Sequence, residues 1–253
     1  MDTVNPRAIE GAGTSEAEWL SWQGIADAPE VTASELVPND RRAVVVAPHP
    51  DDEVLSVGGL LVLLRRLQRT PLLIAVTDGT ASHQGSTEWP PERLATERPR
   101  ESESAWHMLG LSGLHAMRLG LPDGGLRALQ HRLADRLITL LQPGDVVFTT
   151  WRLDGHPDHE ATGDACAIAV QEAGARLVEV PVWAWHWAQP GDIRLPWTRA
   201  RRLALDADAR QRKQNAVQAF HSQLHGDDST GAGPILRPTT VERAARPFEL
   251  FFT

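Results

Sequence analysis

Hydrophobic positions along this chain fall into alternating strand-like and helix-like runs. Ala43-Val44-Val45-Val46-Ala47 is a continuous, largely β-branched run closed by Pro48, the pattern of a strand buried on both faces. Leu72-Leu73-Ile74-Ala75-Val76-Thr77 is a second such run, and residues 58–68 between them have helical spacing. Strand, helix, strand predicts a parallel βαβ unit. The alternation continues with a helix over 92–109, a short strand near 115–119, a helix over 125–142, a strand over 145–150, a helix over 159–174 and a strand over 176–183. A strand at 202–205, a helix over 207–222, a Gly/Asp/Ser loop at 225–233 and an apolar end at 248–252 complete the pattern.

The pattern predicts an α/β fold: a single Rossmann-like domain with a mostly parallel, doubly wound sheet and helices on both faces. Residues 1–40 have weak periodicity and much Gly, Ser, Pro and acid, so they are set apart as an N-terminal extension of a domain over 41–253. No period of 20–50 residues recurs, which excludes a solenoid or propeller. Sheets of this kind bind ligands at the carboxyl ends of their strands. Chemistry is therefore to be sought just after Ala47, Thr77, Gly120 and Thr150.

Charge and composition narrow the classes. With 33 acidic against 25 basic residues and a net charge of −8, a nonspecific grip on phosphate backbone is not expected, so no nucleic-acid partner is assigned. Cys166 is the single cysteine and lies in an apolar stretch, as a small buried hydrophobe would. The N-terminal stretch lacks the apolar core of a secretory signal. The longest apolar run, 57–64, ends at Arg65-Arg66, short of the roughly 20 residues a membrane span needs. A cytoplasmic setting without a membrane span is the expectation; subunit association, including a homo-oligomer, is left open.

Directly after the first strand stands Pro48-His49-Pro50-Asp51-Asp52-Glu53, an imidazole and three carboxylates on one turn. Crowded carboxylates raise one another's pKa unless a cation lies between them, so the stretch calls for a positive centre. After the strand ending at Thr150 comes a second acid and imidazole cluster, Asp154-Gly155-His156-Pro157-Asp158-His159. Each alone is ordinary turn chemistry, in which Pro fixes φ and Asp makes local hydrogen bonds. Their recurrence after two strands of one sheet points instead to a shared site. Nitrogen and carboxylate donors without a thiolate suit Zn2+ or another first-row divalent ion such as Fe2+, with a position left open for water.

The two clusters together resemble the signature motifs of the PIG-L/LmbE-like family of metal-dependent N-acetylglucosaminyl deacetylases. The resemblance extends from about Ala43 to Gln223, taking in Gly58-Gly59, Thr77-Asp78-Gly79, Arg98 with Glu101, Leu121-Pro122-Asp123-Gly124 and His221-Ser222-Gln223. It implies His49, Asp52 and His159 as metal ligands and Asp51 as general base. It further implies His156 as the acid that assists the tetrahedral intermediate and protonates the leaving amine, tuned by Asp158, and Arg98 and Asp123 as residues reaching the substrate's hydroxyls. The implied activity is removal of an N-acetyl group from an amino-sugar conjugate, a small molecule or glycoconjugate. Rival functions are an amidase for a non-sugar acylated amine or thiol-conjugate amide, and a non-catalytic, metal-dependent sugar-binding protein. A nucleotide-binding module fits the fold but lacks Gly-x-Gly-x-x-Gly after the first strand.

Three further features have local readings. Trp183, Trp185 and Trp187 would line one face of a strand, either as a wall for a sugar ring or as packing. Glu53 either holds a ligand imidazole from behind or favours the start of the next helix. The loop at 225–233 is a candidate for mobility.

Overall fold

The structure, a computed structural model, describes residues 7–253; the first six residues of the expected extension lie outside the described residues. Three short helices come first, α1 (Glu16–Ser21), α2 (Gln23–Ala26) and α3 (Ala33–Leu36). Reciprocal capping boxes start two of them, Ser15 with Glu18 and Thr32 with Glu35. The segment is fastened to the body by Trp19, buried edge-on against Trp185 at 4.8 Å, and by Glu16, which accepts two hydrogen bonds from Arg246.

The remaining elements follow as β1 (Ala43–Ala47), α4 (Asp52–Arg66), β2 (Leu72–Ala75), α5 (Pro91–Met108), β3 (Ala116–Arg118), α6 (Leu126–Leu140) and β4 (Val146–Thr150). Then come α7 (Pro157–Ala173), β5 (Arg176–Val180), α8 (Ala184–Trp187), β6 (Ala200–Ala204), α9 (Ala207–Val217), α10 (His221–Leu224), α11 (Pro238–Glu242) and β7 (Phe248–Phe252). The seven strands form one sheet in the order β3-β2-β1-β4-β5-β7-β6. All pairs from β3 to β5 are parallel, and β7 runs antiparallel to both β5 and β6. The mostly parallel Rossmann-like sheet is thus as the pattern predicts. Its strand order reverses between β1 and β4, which is where such sheets open a crevice.

The continuous Val run of β1 is explained by burial on both faces. Ala43 and Val45 pack with residues of α4, α5 and α9 such as Leu61, Ala105 and Val217, whereas Val44 and Val46 pack with Leu133, Leu137, Ala165 and Ala169 of α6 and α7. Cys166 lies in that second layer, fully buried, and burial pushes its thiol up to about 12. It is the inert hydrophobe expected.

Several boundaries differ, each for a local reason. The helix after β1 begins at Asp52, inside the first cluster, and breaks at Val57 (φ −130°, ψ 15°). There the N–H groups of Gly59 and Leu60 donate to the buried Glu249 carboxylate, itself paired with Lys213 at 2.6 Å. A Cβ on Gly59 would lie 2.5 Å from Leu205 Cδ1, so a side chain there would have to displace Leu205. The strand expected to reach Trp183 stops at Val180, because Pro181 has no N–H for a further ladder bond. The three tryptophans therefore diverge: Trp185 meets Trp19, Trp187 stacks on Trp151 and Trp183 alone lines the cleft.

Candidate functional site

The turns after β1 and β4 meet at the reversal of strand order. Asp51 caps α4 with its backbone, its carbonyl accepting from Val54 and Leu55, while its side chain makes no capping bond. Its φ of 117° is in the left-handed half of the map, costly for any residue but glycine and least so for Asn and Asp. Its own N–H donates to Glu53 Oε2. Glu53 also accepts from the Trp106 indole at 2.9 Å, so it braces the turn and does not hold a ligand imidazole.

The strained turn brings Asp52 between the two imidazoles. Asp52 Oδ2 lies 3.1 Å from His49 Nδ1 and 3.2 Å from His159 Nε2. Bonds of about 2.0–2.1 Å to a tetrahedral ion place donors ~3.4 Å apart, so Asp52 Oδ2 lies near ligand spacing from each imidazole. The far nitrogen of each imidazole faces a carboxylate. His159 Nδ1 meets Asp154 Oδ2 at 2.8 Å, and His49 Nε2 meets Asp123 Oδ1 at 3.1 Å and Asp158 Oδ2 at 3.3 Å. Carboxylates in that position fix the ring and its tautomer in metal-binding histidines. The two groupings of potential ligands whose atoms all lie within 4.8 Å of one another both contain His49, one with His156 and His159, the other with Asp123 and Asp158; Asp52 is in neither.

Asp154 was not singled out in the sequence, although it sits in the second cluster five residues before His159. It is fully buried and also accepts from the N–H groups of Val182, Trp183 and Ala184, which explains the turn between β5 and α8. Asp154→Asn can keep an oxygen for the N–H groups of Val182 and Ala184, but it puts an amide NH2 where Oδ2 faces Trp183 N and His159 Nδ1, and it removes the charge behind His159. It should weaken divalent-ion binding by about 10–100-fold in a chelator competition.

Three of the expected site residues make contacts that spacing did not reveal. Asp158, expected beside the His156 ring, directs its carboxylate to His49 and accepts from Gly124 N and Leu126 N. Asp123, expected on substrate hydroxyls, has one oxygen on His49 and the other on Ala81 N at 2.7 Å. Arg98 is buried; its Nη2 donates to Asp51 Oδ2 at 2.9 Å and to Pro50 O, and its Nη1 donates to Gly79 O. It still lines the cleft, but its fork is engaged by the Asp51 turn. Asp51 lines the same cleft, and its Oδ1 makes no hydrogen bond among the described residues.

The His156 ring, expected to act as the acid, has its pKa pushed down among the protein groups alone. Its Nδ1 accepts from Asp158 N as the cap of α7, which places the single proton on Nε2. Burial, then the positive charge of His159 and His49, brings its pKa down to about 3. A divalent ion in place of those imidazole protons would act in the same direction.

Among the protein groups alone, burial would lower His159, but Asp52 and Asp154 outweigh it and its pKa is pushed up to about 9. His49 is raised likewise, against burial, by Asp123, Asp158 and Asp52. Asp51 is pushed up to about 7, chiefly by burial, with Arg98 opposing. Folded-state imidazole values above the unfolded ~6.5 mean stabilisation that is complete below that pH and lost as pH rises through about 9. The raised carboxyl of Asp51 loses stability in the same direction. Protein stripped of divalent ions should therefore melt at progressively lower temperature from about pH 6.5 to about 9, a loss that the ion-loaded protein avoids; thermal scans across that window check this.

The site opens into a cleft of about 540 Å3, walled by Ala81, Ser82, Trp183, Gln223 and the 233–237 segment. Gln223 is a further residue the sequence left without a role. Ser222 Oγ donates to Glu101 Oε2, so it can only accept from Gln223, which turns the amide nitrogen towards Ser222 and leaves Oε1 without a donor. The loop at 225–233 is pinned through Ser229, whose hydroxyl meets Ser86 Oγ and accepts from Thr87 N.

The family model described as PIG-L: GlcNAc-PI de-N-acetylase matches residues 44–170, just over half of the 253 residues. The chain belongs to the PIG-L family. Relatives include a probable N-acetyl-alpha-D-glucosaminyl L-malate deacetylase 2 of Bacillus anthracis, 29% identical over 52% of this chain and 60% of that protein. A 2'-N-acetylparomamine deacetylase of Streptomyces fradiae is 32% identical over 64% of this chain and 52% of that protein. The chain thus spans about half to three-fifths of the length of these curated PIG-L relatives. Among solved structures, the conserved protein TT1542 of Thermus thermophilus superposes with a TM-score of 0.58 at 25% identity, over 84% of this chain and 94% of that one. Both turns that build the site lie within the matched PIG-L segment. Among the described residues no helix is long and apolar enough to cross a membrane.

Proposed function

We propose that this PIG-L chain is a metal-dependent N-deacetylase that hydrolyses the acetamide of an N-acetylglucosamine-type conjugate. The observation that carries the reading is the Asp52 carboxylate set between His49 Nδ1 and His159 Nε2, with Asp51 lining the same cleft. The two curated relatives support the substrate class, since both are named as deacetylases of N-acetylated amino-sugars. His49, Asp52 and His159 would hold the ion; their mixed nitrogen and oxygen donors suit zinc or Fe2+. A divalent ion bound there supplies Lewis acidity, polarising the amide carbonyl and acidifying water from ~15.7 towards ~7.

The rest is work for the protein's own groups. Asp51 takes the proton from the attacking water and returns it to the amine as the C–N bond breaks, giving acetate and a free amino-sugar. Arg98 holds the carboxylate of Asp51 in place. His156, neutral with its proton on Nε2, donates a hydrogen bond to the carbonyl oxygen as that atom gains charge. Asp154 behind His159, and Asp123 with Asp158 behind His49, orient the ligand rings.

A primary-amine release assay tests the proposal, using ion-loaded protein with N-acetylglucosamine, its lipid- and nucleotide-linked forms, diacetylchitobiose and acylated non-sugar amines. Asp51→Asn serves as the blank. Amine is expected from one or more of the sugars. Release confined to non-sugar amides, or none above the blank, overturns the reading.

A further inference from the structure

The cleft does not end at the candidate metal site. A second groove, of about 490 Å3 and lined by Gly11, Ala12, Pro238 and Thr239, adjoins it, and the two share Gly233, Pro234 and Arg237. The shared ridge is firmly held: Leu236 is buried and its N–H donates to Gln223 O, while Pro234 and Pro238 restrict the backbone on either side of Arg237. Thr239 Oγ1 donates to Ala12 O across the base of the second groove.

Arg237 is one of two arginines lining the cleft, and their situations differ. Arg98 is engaged by Asp51, Pro50 and Gly79. Arg237 is half-buried, yet no carboxylate lies within ion-pair distance of it and its side chain makes no hydrogen bond among the described residues. Several other partly or fully buried arginines have partners, Arg42, Arg152 and Arg246 in the carboxylates of Asp145, Glu179 and Glu16, and Arg243 in neutral oxygens of Thr240, Thr14 and Trp185. Its charge is felt by His186, whose ring packs against Gly13 next to the second groove. An unmatched guanidinium on a rigid ridge offers a planar fork suited to carboxylate or phosphate oxygens. The need for it is electrostatic. The chain carries −8 overall, and the cleft floor holds Asp51, Asp52, Asp123 and Asp158, so an anionic substrate arriving there would otherwise be repelled.

Resting on the deacetylase reading, we propose that Arg237 marks a second subsite, in which the group attached to the amino-sugar lies over Pro234 in the adjoining groove and is recognised by an anionic substituent on it. The acetamide then sits at the floor of the first cavity, and the anion lies on the ridge between the two.

The test compares three N-acetylglucosaminides that share one short linker, ending in a carboxylate, a phosphate monoester or the neutral carboxamide. Ion-loaded wild-type protein is expected to favour an anionic form over the amide by about 10–100-fold in kcat/KM, the difference lying in KM, as for a charge-assisted hydrogen bond. The arm that is favoured says which anion fits. Arg237→Gln should reduce that ratio towards one, and Arg237→Glu should reverse it. Bound-ion content and melting temperature of both variants confirm that they are folded. Equal rates for all three glycosides in wild type, or a ratio unchanged in Arg237→Gln, overturns the subsite while leaving the deacetylase reading intact. No amine from any of the three overturns the deacetylase reading, and the subsite with it.

Discussion

Asp51→Asn is expected to lower kcat by about 10²–10⁴-fold while divalent-ion content stays that of the wild type. The substitution is close to isosteric, and Asn is among the few residues that tolerate the φ of 117° at this position. The amide oxygen can still accept from Arg98 Nη2, so the turn that presents Asp52 should persist. What is removed is the ability to take a proton from water and return it to the amine. Amine release and metal content measured on the same preparation separate the two effects. A kcat within about tenfold of wild type, below the range that removing an acid–base group produces, would take the proton-carrying role away from Asp51.

The second large effect is expected at the ligands. His49→Ala or His159→Ala should abolish tight binding of the ion and lose activity in proportion, exceeding the about 10–100-fold weakening that follows loss of a carboxylate behind a ligand. Each also leaves the buried Asp52 carboxylate short of a partner 3.1 or 3.2 Å away, so the melting temperature of the ion-free protein should drop as well. His156→Ala is expected to retain the ion, because its Nδ1 is occupied by the cap of α7 and Asp52 supplies the third donor. Mass-spectrometric metal content distinguishes these cases. Loss of the ion in His156→Ala would favour three imidazoles, which geometry also brings together.

Much of this was legible in the chain. The β-branched run at 43–47 fixed a doubly buried strand, and the two acid and imidazole clusters fell after β1 and β4, which neighbour each other where the strand order reverses. Periodicity reports which faces are buried, so it gave the layers of the sheet. It carries no information on where the last strand inserts, and β7 between β5 and β6 was not foreseen. The partner of a carboxylate depends on loop path and rotamer, which spacing does not encode. Asp158 is adjacent in sequence to His159 and two residues from His156, yet its carboxylate faces His49 across the sheet edge. Asp154 looked like one more turn residue until the chain beyond Pro181 folded back over it. The tryptophans at 183, 185 and 187 have the spacing of a strand face, but Asp154 gathers three successive N–H groups there and winds them into α8. The depressed pKa of His156 is equally invisible in sequence, since it follows from burial and from the charges beside it.

The central claim is that the two distant turns close around a single divalent ion through one particular trio of atoms. Anomalous diffraction from crystals grown with zinc, recorded on both sides of the zinc edge, tests this most directly. One strong peak is expected about 2.0–2.2 Å from His49 Nδ1, an Asp52 carboxylate oxygen and His159 Nε2. A peak on the opposite side of His49, between Asp123 and Asp158, or none at either place, would contradict it.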